Sequence, residues 1–205
     1  MDEEKNLNKN QAGNVNNAMN KNRSATIFRL SSFIPIILFL IIVYIIFSPT
    51  LSMIIAGIFS GITISIHDFI IEFYAYKKEL WLCYGGFQKI GKYNLHVPLD
   101  MSILFFIGGL SLGIFSTFPE YLREKEILNG LFSNPMFDWI WILVILVIIA
   151  LIGAAADFIS KRFGVWENGK NWTFWKCAFF AWLPLLIFSV VVNYLVLFGL
   201  EFITL

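Results

Sequence analysis

Residues 139–156 read WIWILVILVIIALIGAAA, eighteen consecutive positions without a charge, closing on Gly153 and three alanines. A bilayer core about 30 Å thick takes roughly 20 helical residues at ~1.5 Å each, so this run has the length and composition of a membrane span. A second run, FIPIILFLIIVYIIF over residues 33–47, is as apolar and begins just after Arg29. The same criterion selects five spans, near 28–47, 51–71, 98–118, 139–159 and 174–200. The expected fold is therefore all-α, a polytopic membrane helix bundle of five transmembrane helices. Ser48-Pro49-Thr50 is all that separates the first two spans. Proline lacks a backbone donor and helps to force a tight turn, so these two are expected to form an antiparallel hairpin.

The whole-chain composition agrees. Of 205 residues 58% are apolar and only 14% charged, with a mean hydropathy of +0.73, whereas soluble domains carry about a quarter charged residues. The formal net charge is +1, which gives no basic field for nucleic acid. Basic residues are retained on the cytoplasmic side of a membrane, so their distribution sets orientation. Thirteen of the Lys and Arg residues fall before the first span, between the second and third, or around the start of the fifth. Arg123 and Lys125 alone fall on the other side. The expected protein is an integral membrane protein of the cell membrane, N-terminus cytoplasmic and C-terminus outside.

Residues 1–24 are polar, Asn-rich and acidic at the start, too poor in apolar side chains to offset chain entropy. They are expected to form a disordered cytoplasmic tail before a transmembrane domain of residues 25–205. An acidic opening and a late, span-length apolar stretch argue against a cleaved signal peptide. Trp139, Trp141, Trp81, Trp166, Trp172 and Trp175 lie near span ends, where indoles form interfacial belts. Cys83 and Cys177 belong to no CxxC pair and on the cytoplasmic side would stay reduced.

Two stretches echo one another. Asp68-Phe69-Ile70, Trp81 and Val97-Pro98-Leu99 are followed later by Asp157-Phe158-Ile159, Trp166 and Leu183-Pro184-Leu185. Both copies descend, turn and return, which would make them parallel repeats about an axis along the membrane normal. Chance recurrence of short apolar strings is the plain alternative. Pro184 either starts the last helix or kinks one begun near Phe174.

Acids at the edge of a span are the residues most able to do chemistry, because burying a charge at bilayer depth is costly. Asp68, Glu72, Asp100 and Asp157 are the candidates. Asp68 and Glu72 are four apart, on one helix face, and two carboxylates that close in a low-dielectric site can share a proton. Each also has a simpler reading: Asp68 and Glu72 at the rim beside Lys77 and Lys78, Asp157 paired with Lys161, and Asp100 in the first turn behind Pro98, where the helix dipole favours an acid. His67 and His96 stand alone, with no HxxxH or HExxH spacing and no paired cysteines, so no metal site is expected. No P-loop, dinucleotide fingerprint or Gly-x-Ser-x-Gly elbow occurs, and no cofactor is implied. Gly57-x-x-x-Gly61 and Gly109-x-x-x-Gly113 fit close helix packing. PEYLREKEIL, starting at Pro119, reads as a short charged helix running to Asn129-Gly130.

Asp68 with Glu72 and Trp81, Val97-Pro98-Leu99-Asp100, and Asp157 with Gly164-Val165-Trp166 together resemble the repeated units of small integral membrane carotenoid enzymes, the lycopene cyclase domains and bacterioruberin-pathway hydratases. The resemblance covers about half of the chain and implies acid catalysis on an apolar isoprenoid by Asp68, Glu72, Asp100 and Asp157. Trp81 and Trp166 would then line the substrate site. A carboxylic acid in an apolar site can protonate a carbon–carbon double bond, and aromatic faces can stabilise the carbocation. Two other readings stand beside it: a transporter or channel subunit, which with so few helices would work as a homo-oligomer, and an accessory membrane protein whose acids only cap helices. Membrane lipid is the partner common to all three.

Overall fold

The structure, a computed structural model, describes the backbone of residues 2–84, 89–90, 93–94, 97–124, 135–168 and 172–204. Among the described residues the fold is all-α apart from four strands of two or three residues. Its elements are α1 (Asp2–Phe47), α2 (Leu51–Lys77), β1 (Trp81–Cys83), β2 (Lys89–Ile90), β3 (Tyr93–Asn94), α3 (Leu99–Ser116), α4 (Phe118–Glu124) and α5 (Pro135–Arg162). β4 (Trp166–Asn168), a short α6 (Phe174–Lys176), a π-helical segment (Cys177–Trp182) and α7 (Leu183–Thr204) complete the order. Five of the helical stretches are long and apolar enough to cross a membrane: Arg23–Phe47, Leu51–Lys77, Leu99–Ser116, Asp138–Arg162 and Phe174–Leu200.

α1 continues backward from its apolar stretch to Asp2, through the polar residues read above as a tail. Extending a helix already nucleated costs far less than starting one. Its C-terminal end turns at Ser48, whose φ is +42°, and α2 starts on Thr50, whose side chain accepts from the Met53 N–H at 3.3 Å. The N-cap satisfies one of the donors that a helix start leaves unpaired. The tight turn does not produce the expected hairpin, however. α1 leans on α3 and makes only marginal contact with α2. The face of α2 that permits close approach, Ala56, Gly57, Ser60 and Gly61, is buried, and α3 occupies it. The bulky, branched side chains of α1 offer no matching groove.

The α2–α3 contact is built on glycine. A methyl at Gly109 would stand 2.8 Å from Gly61 Cα, and one at Gly113 would stand 3.0 Å from Gly57 Cα. Both glycine pairs of the sequence motif therefore face each other across this contact. Ser60 Oγ donates to Gly109 O at 2.9 Å and lies 2.5 Å from Ser189 Oγ on α7. One turn further, Asn193 Nδ2 donates to Gly113 O at 3.1 Å and to Ser116 Oγ at 3.3 Å, and Tyr194 Oη donates to Ser116 O at 2.9 Å. This polar seam joins α2, α3 and α7 inside an otherwise apolar core of Ile64, Leu112, Leu146, Leu185, Leu186 and Val190.

The last span is a single helical rod from Phe174, with its distortion just before Pro184. The segment Cys177–Trp182 widens to a π-helix, and the Leu183 N–H reaches back to Ala178 O. Proline has no N–H to give and its ring crowds the preceding turn, so the helix widens there instead of breaking. α5 packs against this widened segment. Gly153 makes room for it, since a methyl there would meet the Trp182 ring at 2.5 Å.

Candidate functional site

The ends of α2 and α5 and the start of α3 come together at one end of the bundle, which places the four candidate acids near each other. β1 and β4 tie the two connections that leave α2 and α5 into an antiparallel pair, with Trp81 opposite Asn168 and Cys83 opposite Trp166. Above this pair Ala25, Ala75, Trp81, Val165 and Trp166 form a tight apolar cluster. Two alanines with no exposed surface let α1 and α2 approach the indoles closely. Trp81 and Trp166 are thus buried, not interfacial, at 8% and 6% exposure, whereas Trp139 and Trp175 are over 60% exposed, as a belt requires.

Asp68 and Asp100 are both buried, and Glu72 and Asp157 half-buried. Asp68 is in electrostatic reach of Glu72, Asp157 and Arg29. Glu72 Oε2 accepts from Trp81 Nε1 at 2.7 Å and from Cys83 Sγ at 3.0 Å. Asp157 Oδ2 accepts from Trp182 Nε1 at 2.6 Å and from Cys177 Sγ at 3.3 Å. Two carboxylates on different helices are therefore each held by one indole and one thiol. Trp166 Nε1 donates to Ser160 Oγ at 2.7 Å, which in turn donates to Asp157 O at 2.8 Å. Ring contacts continue the wall: Trp81 against Trp172 at 4.6 Å and Phe105 against Trp182 at 5.2 Å.

The lysine pairings considered from the sequence are absent among the described residues. Lys77, Lys78, Lys161 and Arg162 are exposed, and Lys77 Nζ lies over the Phe73 ring at 4.7 Å. The cation that enters the site is Arg29 of α1, 1% exposed. Its Nη1 lies 3.7 Å from Asp100 Oδ1 and its Nη2 donates to Val165 O at 3.3 Å. Asp100 stays in the first turn of α3, as expected behind Pro98. His67 faces away, its ring 5.2 Å from Phe188, and His96 lies outside the described residues. Among the described residues no group of three His, Cys, Asp or Glu is placed to hold a metal ion.

Arg29, Ser102, Cys83, Cys177 and Trp182 belong to the site without having been singled out as part of it. Both cysteines are free thiols. Burial, reinforced by the Glu72 charge, pushes the Cys83 thiol well above the ordinary range, so it serves Glu72 as a donor and not as a nucleophile. Next to it, burial and a 2.8 Å bond to Glu167 Oε2 push the Tyr84 hydroxyl up to about 12. The arrangement is thus three carboxylates within electrostatic reach of one another, one guanidinium paired with a fourth, and an aromatic enclosure. Comparison of the chain with models of protein families, with curated proteins and with solved structures returned no match.

Proposed function

We propose that the chain is a five-span protein of the cell membrane, N-terminus cytoplasmic and C-terminus outside, whose buried carboxylates catalyse proton transfer to and from an apolar isoprenoid or related lipid. Support for the membrane reading comes from side chains that water would not tolerate in such number: Ile34 and Ile45 on α1, Ile152 on α5, and Phe180, Leu195 and Phe198 on α7 are all about 60–75% exposed. The thirteen-to-two bias of basic residues supports the orientation.

The observation that carries the catalytic reading is the convergence of Asp68, Glu72 and Asp157 on one aromatic enclosure, with Arg29 the single buried cation among the described residues and Asp100 beside it. Acids that merely capped helices or paired with surface lysines would have no reason to meet there. With fewer fixed cations than acids, the cluster holds protons to balance its charge. A carboxylic acid gives its proton to one carbon of a double bond. The π pair becomes the new C–H bond, and the neighbouring carbon becomes a carbocation. The indole and phenyl faces stabilise that cation. A carboxylate then removes a different proton, giving an isomerised or cyclised product, or water adds and loses a proton, giving an alcohol. Neither outcome is a redox reaction, and neither calls for a cofactor.

Asp68 and Asp157 are the acid and base of this reading, Glu72 shares their proton, and Asp100 positions Arg29. Trp81 and Trp166 wall the substrate site. The test is expression in a host that accumulates linear polyenes, with extracts compared for the wild type, Asp68→Asn and Asp157→Asn. A new product of equal mass, or heavier by one water, is expected in the wild type and at least about a hundredfold less of it in either variant. A wild-type extract identical to that of the empty host overturns the proposal.

A further inference from the structure

At the centre of the site Arg29 Nε and Asp68 Oδ2 are buried with no hydrogen-bond partner, Arg29 Nη1 has only its 3.7 Å ion pair with Asp100, and Ser102 Oγ has no partner but the neighbouring Asp68. Such atoms are rare in folded proteins, and a group of them is rarer. Arg29 and Asp68 are 1% and 6% exposed and feel each other's charge, yet they do not bond to one another. Ser102 stands beside Asp68, one turn into α3 and close to the Asp100 that pairs with Arg29. The unused capacity is specific: N–H donors from Arg29 and one acceptor oxygen from Asp68.

That combination selects the ligand chemistry. An anion such as a phosphate would meet Asp68, and beyond it Glu72 and Asp157. An ammonium would meet the guanidinium. A metal ion lacks a set of three ligands among the described residues. A neutral oxygen carrying one hydrogen suits this pair, accepting from an Arg29 N–H while donating to Asp68 Oδ2, with Ser102 beside it. We propose that Arg29, Asp68 and Ser102 form a cradle for the hydroxyl of a long-chain isoprenoid alcohol. Ile64 and Ile71 flank Asp68 on the same face of α2, and Phe105 follows Ser102 by one turn of α3. With Trp182 they pack on a single apolar cluster, which takes the hydrocarbon part. The identity of that hydrocarbon rests on the function proposed above; the hydroxyl rests on the unpaired Arg29 and Asp68 atoms alone.

The same chemistry could be supplied by a trapped water, and binding measurements distinguish the two. The purified full-length chain in lipid nanodiscs is titrated with geranylgeraniol, its methyl ether and a hydrocarbon of equal length, read by tryptophan fluorescence. The ether can accept from Arg29 but cannot donate to Asp68. The alcohol is expected to bind about tenfold more tightly than the ether, as one buried hydrogen bond warrants. In Asp68→Asn the preference is expected to shrink to about threefold or less, whereas Ser102→Ala is expected to weaken alcohol and ether alike. Equal binding of all three by the wild type means that water alone fills the cradle, which overturns this proposal and leaves proton transfer to an apolar substrate standing. No binding of any of the three removes both. A preference unchanged in Asp68→Asn places the hydroxyl elsewhere and also overturns it.

Discussion

Gly108 and Gly109 are neighbours on α3 with opposite surroundings, and exchanging each for alanine isolates the energy of the α2–α3 contact. At Gly108 an added methyl meets nothing within 4 Å. At Gly109 it stands 2.8 Å from Gly61 Cα, 3.1 Å from Ser60 O and 3.2 Å from Gly61 N, all of them backbone. No side chain can rotate away. Carbon pairs rest at about 3.5–4.0 Å, so the helices would have to part by roughly 1 Å. That movement would also stretch the 2.9 Å bond from Ser60 Oγ to Gly109 O. Alanine gains about 0.5–1 kcal/mol over glycine in a helix interior at either site, whereas overpacking costs about 1–3 kcal/mol at the second alone. Gly108→Ala is therefore expected to stabilise by up to about 1 kcal/mol, and Gly109→Ala to fall below it by about 1–3 kcal/mol. The helix-propensity gain cancels in the difference. Reversible unfolding in mixed micelles, followed by tryptophan fluorescence, measures both. Equal stabilisation by the two variants would show that α2 and α3 do not meet on their glycines.

Arg29→Met leaves Asp100 buried without its cation and is expected to cost about 3–5 kcal/mol by the same unfolding assay, with Arg29→Lys recovering only part because an ammonium cannot span Asp100 and Val165 O together. Asn193→Val removes the donor that serves Gly113 O and Ser116 Oγ, and about 0.6–1.7 kcal/mol is expected to be lost, the range found for hydrogen bonds between helices in membranes. Cys83 is held protonated by burial and by Glu72, so in a Cys177→Ser background it is expected to alkylate more slowly than a free cysteine at pH 8. The rate climbs only as pH rises past the usual thiol range, and Glu72→Gln is expected to speed it by lowering that threshold; a slower or unchanged rate in Glu72→Gln would contradict the bond between them.

Hydropathy located the five long helices to within a few residues, because length and lack of charge are local properties of the chain. The glycine spacings on α2 and α3 were equally readable, since each lies on one face of one helix. Partners were harder to read. Lipid-facing and protein-facing positions are alike apolar here, so nothing in FIPIILFLIIVYIIF says that α1 turns to α3 instead of α2. Arg29 looks like an ordinary flanking base that sets orientation, yet it is buried at the centre of the site. One cue was present: Ala25 lies four residues before it, a small residue on the same face, as a crowded contact requires. The acids at helix ends were visible as costly residues, but their convergence depends on the pairing of Trp81–Cys83 with Trp166–Asn168, two strands too short to have a pattern. The echo between the two halves runs through that same pairing, since the strands that follow Asp68 and Asp157 are the ones that meet.

The π-helical segment before Pro184 adjusts phase. An α-helix turns 100° per residue, so a rod of strict α geometry that presented Cys177 and Trp182 to α5 would carry a different set of later residues toward α2 and α3. The wider turn lets one rod keep two appointments, Cys177 with Asp157 at one end and Ser189 and Asn193 with the polar seam further on. Were these six residues to take α geometry, the rest of α7 would turn against Cys177 by about a quarter turn, swinging Asn193 toward lipid. In the language of gearing, this segment is the half-tooth offset that lets the site and the seam sit on the same shaft.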